Sequence, residues 1–261
     1  MTERIGVLCS PLNTTTNVSA SSINPNFPID NMLDEHPKML FKSNSTSDLT
    51  VTATMIAGSE CLFIFNTNAT SINITSLDFA NGEWFAGNEW FAGNEWFAKF
   101  PLEIPSEIFE SGENNTMGIT FNAIESNKSV ELVFSNVDHD VINIGILWSG
   151  SIEWTNNYMY GMAESQVDYS ILKPLSNGAT YYKKRDVVRS FSGTVLESPE
   201  VMDKMLLDVS RKYGLKSMPW IISDLNDDNR WKIFGRLNEP ISTTYNDCKH
   251  NELNINIIEV L

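Results

Sequence analysis

Apolar and polar positions in the first 152 residues follow a period of two, in short runs. Leu49–Met55 (LTVTATM) alternates strictly, as a strand with one buried face does. Cys61–Asn66 (CLFIFN) is a continuous apolar run between polar turns, the pattern of a strand covered on both faces. Ser71–Phe79 alternates again through Ile72, Ile74, Leu77 and Phe79, with a slip near Thr75. Gly118–Ala123, Ser129–Phe134 and Val141–Leu147 continue the series. Many short strands with polar turns and no helical period between them predict a β-sandwich or jelly roll.

Residues 153–261 read differently. Strand signals recur at Tyr181–Tyr182, Val187–Leu196, Met218–Ser223, Trp231–Leu237 and Ile255–Val260. Between them the spacing predicts one main helix from Pro199 to Tyr213. Ser198 fits the N-cap and Pro199 the first helical position, where a missing N–H costs nothing. Glu200 and Asp203 fall in the first turns, Arg211 and Lys212 in the last, and Gly214 follows. Val201, Met202, Met205, Leu206, Val209 and Tyr213 form the apolar stripe. The expected organisation is therefore mainly β: a β-sandwich domain over 1–152, then a smaller α+β docking domain over 153–261.

One stretch breaks the pattern. Residues 82–98 repeat a hexad, GEWFA-GNEWFA-GNEWFA, which places Trp84, Trp90 and Trp96, and likewise Phe85, Phe91 and Phe97, six residues apart. In an extended chain all three Trp would share one face and all three Phe the other. Three readings are open: a duplication that merely lengthened a loop, a contact arm docking its aromatics on a neighbouring subunit, or a platform that stacks on sugar rings.

Charge narrows the partners. The chain has 18 basic and 33 acidic residues, a net charge of −15. A field of that sign repels phosphate backbones and anionic membrane surfaces, so a nucleic-acid binder is not expected. No window reaches the roughly 18–20 apolar residues of a membrane span. Against this background Lys183, Lys184 and Arg185, preceded by Tyr181 and Tyr182 and followed by Arg189, form the one dense basic cluster. It is too short for a nucleic-acid face and suits an acidic surface on a neighbour or on the same chain. Like-charged copies repel, so any ring of this chain needs offsetting contacts. The 183–189 stretch and the aromatic arm are where they are expected.

About one residue in nine is Asn, which suits a turn-rich β fold. Asn13, Asn17, Asn44, Asn68, Asn73, Asn114 and Asn127 stand in N-x-S/T sequons. The opening residues carry no basic cluster and no apolar run of the roughly 7–15 residues of a secretory signal. Synthesis in a cytoplasm is expected, with the sequons unglycosylated. Cys9, Cys61 and Cys248 are scattered and read as ordinary thiols.

Enzyme signatures are lacking: the sequence has no G-x-S-x-G, H-E-x-x-H or G-x-x-x-x-G-K-[ST]. No catalytic residue and no cofactor is expected. His36 and His139, each beside acids, read as turn residues. Asp224, Asn226 and Asp228 begin like a calcium loop, but Asn229 stands where the Gly should be and Gly235 where the bidentate Glu should be. The segment reads as a polar turn between two strands, with these three residues a weak metal candidate.

Two sets of residues resemble known families. Ser19-Ala-Ser-Ser22, Asn31-Met-Leu-Asp34 and Phe41-Lys-Ser43 are similar to the opening of discoidin-like (galactose-binding-like) jelly rolls, with Phe41 where Trp is usual. Val130–Phe134, Ile142–Gly150, Asn157–Gly161 and Val167–Ser170 resemble a group of tailed-bacteriophage tail-tip or baseplate proteins. So do Gly178–Tyr181, the basic strand 183–189, Trp231–Leu237 and the closing Ile255–Leu261. The resemblance spans about 18–79 and 129–261 and leaves the hexads without a counterpart. It implies a non-enzymatic virion protein of the tail, assembled with other tail or baseplate proteins and copies of itself, with no membrane insertion. It also implies a jelly-roll surface for host glycan. The alternative is a carbohydrate-binding module that recognises host surface glycans through Trp84, Trp90 and Trp96.

Overall fold

The computed structural model describes residues 6–8, 18–34, 36–77, 115–120, 123–124, 126–136, 138, 140–155, 159–174, 179–204, 209, 211, 213–222, 231–245 and 251–260. These residues are mainly β, in antiparallel sheets, and none of their helices reaches seven residues. No helix among them is long and apolar enough to cross a membrane. The chain divides into two compact units, Leu8–Ile152 and Met1–Val7 with Glu153–Leu261. Strand β1 (Gly6–Leu8) pairs within the sheet of the latter.

In Leu8–Ile152 one sheet runs in the order β2 (Val18–Ala20), β4 (Leu49–Met55), β8 (Lys128–Ser135), β6 (Ser71–Leu77). The other runs β3 (Phe41–Lys42), β9 (Asn143–Gly150), β5 (Cys61–Thr67), β7 (Asn115–Thr120). The strict alternation of β4 becomes burial: Leu49, Val51, Ala53 and Met55 point inward, and the threonines between them are half-buried. Val130, Leu132 and Phe134 do the same from β8. Opposite them, Leu62 and Ile64 of β5 and Ile144 and Leu147 of β9 enter the same core, so the two sheets share one interior. The unbroken apolar run of β5 is buried on its second face too, where Phe63 and Phe65 stack with centroids 5.7 Å apart. The slip at Thr75 in the alternation of β6 coincides with a register shift between Ile74 and Ser76 against β8.

Asparagine stitches this unit together. Asn68 donates through Nδ2 to Val141 O (2.9 Å) and accepts from Asn143 N through Oδ1 (2.8 Å). Asn127 Oδ1 accepts from Ala57 N, and Asn136 Nδ2 donates to Asn68 O. Asn66 takes the left-handed conformation at φ 57°, and its Nδ2 donates to Pro37 O at 2.7 Å. Gly145 lies beneath: a Cβ there would meet Pro37 O at 2.6 Å and Asn66 Cβ at 2.8 Å.

In the unit containing Glu153–Leu261 the main sheet has eight strands. Its order is β10 (Ile152–Trp154), β1, β15 (Met218–Ile221), β16 (Lys232–Leu237), β18 (Asn251–Glu259), β14 (Val187–Glu197), β11 (Met159–Asp168), with β17 (Ser242–Tyr245) also on β18. The start of the chain joins this sheet: Gly6 and Val7 pair with Ile221 and Trp220. Trp220 is fully buried and donates its indole N–H to Gly235 O at 3.1 Å. Where a helix is expected over Pro199–Tyr213, α1 (Pro199–Lys204) forms and lies against β18, with Met202 buried. Of the remaining expected stripe, Val209 is buried, while Met205 and Leu206 lie outside the described residues. A separate two-stranded sheet, β12 (Ile171–Pro174) with β13 (Thr180–Lys183), stands between β11 and β14 in the sequence.

Candidate functional site

The basic cluster lies at the end of this small hairpin. Its register pairs Ile171 with Lys183, Leu172 with Tyr182, Lys173 with Tyr181, and Pro174 with Thr180. Paired residues share a face, so one face carries Ile171, Lys183, Lys173 and Tyr181, the other Leu172, Tyr182, Pro174 and Thr180. Every residue of both strands is exposed. Leu172 is 69% exposed, Tyr182 57% and Tyr181 49%. Lys184 and Arg185 continue from β13, also exposed. An isolated hairpin of this length is marginal in water, because neither face is covered. What the geometry offers is a two-faced platform of apolar and aromatic groups ringed by four cations, suited to an acidic, partly apolar surface.

The base of the hairpin is fixed by Ser170. Its backbone N–H donates to Asp168 Oδ1 at 2.7 Å. Its hydroxyl oxygen accepts from Arg185 N at 3.0 Å and lies 3.5 Å from the Tyr182 hydroxyl, which donates to it. The Ser170 side chain, then its backbone N–H, and Lys184 nearby hold the Asp168 carboxyl below the usual carboxylate value, against a small opposing effect of burial.

Arg189, at the far end of the basic stretch, is used differently. Its guanidinium grips the Glu259 carboxylate, with Nη2 to Oε1 at 2.6 Å and Nε to Oε2 at 3.1 Å, joining β14 to β18. It also lies over the Phe191 ring at 5.8 Å. This cation serves the sheet, so the exposed contact set is Lys183, Lys184 and Arg185, without Arg189. The expectation for the cluster left out the facing strand. Ile171, Leu172 and Lys173 belong to the same platform, and the signal for them was an apolar pair followed by Pro174 and the turn-forming Ser176-Asn-Gly178.

The other expected sites divide as follows. Trp84, Phe85, Trp90, Phe91, Trp96 and Phe97 lie outside the described residues, as do Asp224, Asn226 and Asp228. Among the described residues no group of three or more His, Cys, Asp or Glu could hold a metal ion. The motif residues of the first unit are structural. Asn31 Nδ2 donates to Leu40 O, Met32 and Phe41 are fully buried, and buried Ser43 accepts from Ile142 N.

No protein-family model matches the chain, and no curated protein matches it. Among solved structures it is similar to the X-ray crystal structure of reduced XRCC1 bound to the DNA polymerase β catalytic domain. The match has 14% identity and a TM-score of 0.33, and it covers 56% of this chain and 98% of that one. At that score the likeness carries no argument about fold or function.

Proposed function

We propose that this chain is a structural protein of a bacteriophage virion, a tail-tip or baseplate component that works by assembly and not by catalysis. Its Leu8–Ile152 unit is read as a discoidin-like jelly roll, and its remainder as a docking domain. Host-surface contact falls to the jelly-roll loops. Two observations support this reading. The residues that resemble the discoidin-like opening, Asn31–Asp34 and Phe41–Ser43, include those that tie the edge of a two-sheet core together. The exposed, basic, aromatic hairpin on an acidic chain carries the assembly reading, because its composition suits contact and leaves its own faces uncovered.

The test is the composition of purified particles. Mass spectrometry should find the chain at fixed stoichiometry, and antibody labelling should place it at the tail. A particle that lacks the chain would end the proposal.

A further inference from the structure

We infer that the β12–β13 hairpin docks one copy of this chain on an acidic surface of a second copy, away from that copy's own hairpin. The inference deepens the assembly reading and rests on it for the choice of partner. Three observations carry it. Both faces of the hairpin are exposed, and they hold Ile171, Leu172, Tyr181 and Tyr182, which water solvates poorly. Residues 169–185 contain Lys173, Lys183, Lys184 and Arg185 and no acid, which leaves 14 basic against 33 acidic residues elsewhere in the chain. A second copy is therefore itself the acidic surface the hairpin complements. The Ser170 clamp fixes the base of the hairpin before contact, which lowers part of the ordering cost of docking.

The same charges exclude one geometry. A contact of hairpin on hairpin would set four cations against four, whereas docking on the acidic remainder, reciprocally in a two-fold pair or head to tail in a ring, sets them against acids. The neighbouring edge strand β11 is a poorer contact. A register shift between Tyr160 and Ala163, Gly161 at φ 63° and exposed Glu164 blunt it.

The experiment is light scattering of the full-length chain after size exclusion, in about 150 mM salt, where the screening length is about 8 Å. Wild type should self-associate. The variant K183Q/K184Q/R185Q should associate about tenfold more weakly or worse, since three surface pairs are lost. L172S/Y182S, which keeps every cation, should weaken association too. At dilutions where wild type is monomeric both should melt as wild type does, because no altered side chain lies in a core. Monomeric wild type at the highest attainable concentration overturns the inference. So does a glutamine variant that associates as well as wild type, and one that associates better, as a hairpin-to-hairpin contact would. Particle composition separates this from the virion reading. A chain found in tails that incorporates normally with both variants overturns the hairpin contact alone; variants that lose association in a chain absent from tails overturn the virion reading alone.

Discussion

In β4, Leu49, Val51, Ala53 and Met55 are shut away from water, and the threonines between them face outward. In β12 and β13 the apolar residues stand in adjacent pairs, Ile171-Leu172 and Tyr181-Tyr182, one to each face, and every side chain is exposed. The difference lies in what stands opposite. β4 and β8 face β5 and β9 across a shared interior, so each large inward side chain contributes about 1.5–3 kcal/mol of burial. Among the described residues the hairpin has no sheet over either face, and its own residues contribute little to folding. Apolar content alone thus does not tell a core strand from a contact strand. Charge does: β4 and β8 carry one lysine, at the start of β8, whereas the hairpin and the two residues after it hold four cations.

The contrast breaks most visibly at the core. Phe134→Ala removes a fully buried ring and should cost about 3–5 kcal/mol in chemical denaturation. A cost near zero would mean that the two sheets do not share that interior. Gly145→Ala should cost about 1–3 kcal/mol, because the added methyl meets the Pro37 carbonyl and the Asn66 side chain. Glu259→Gln removes half of the grip on Arg189 and should cost about 1–3 kcal/mol, read from thermal melting. It should leave self-association unchanged, which would confirm that Arg189 belongs to the sheet. Tyr182→Ser should shift stability by no more than about 0.5 kcal/mol, while association weakens.

The smallest effect is a pH dependence at the hairpin base. The Asp168 carboxyl is held below its ordinary value of 3.8. A depressed carboxylate adds order above its unfolded value and loses that order as pH falls through the lowered one. NMR titration should therefore place its midpoint below 3.8, and Ser170→Ala should raise it. A midpoint unmoved by that substitution would contradict the clamp.

Much of the strand plan was legible because burial in a sheet leaves a period of two. Leu49–Met55 forms as read, and even the slip at Thr75 corresponds to a register shift. The strands that escaped notice lack that imprint. Met159–Asp168, ten residues at the edge of the large sheet, has exposed residues from Gly161 to Gln166, so no face selected apolar side chains. Gly6–Leu8 sits at the start of the chain yet pairs with Met218–Ile221, and no local pattern announces a partner so distant in sequence. The basic cluster was legible from composition. That Arg189 is held by Glu259 while Lys183, Lys184 and Arg185 are exposed depends on which strands are neighbours, and spacing does not contain that.

On this proposal the hairpin, fixed at its base by Ser170, is stabilised by contact with another copy, whereas the two-sheet core is stabilised by itself. Hydrogen exchange on the full-length chain, dilute and concentrated, tests this most directly. Amides of β12 and β13 should exchange fast in dilute solution and become protected as concentration rises, while those of β4, β5, β8 and β9 stay protected throughout. Hairpin amides that exchange at the same rate at every concentration would contradict it.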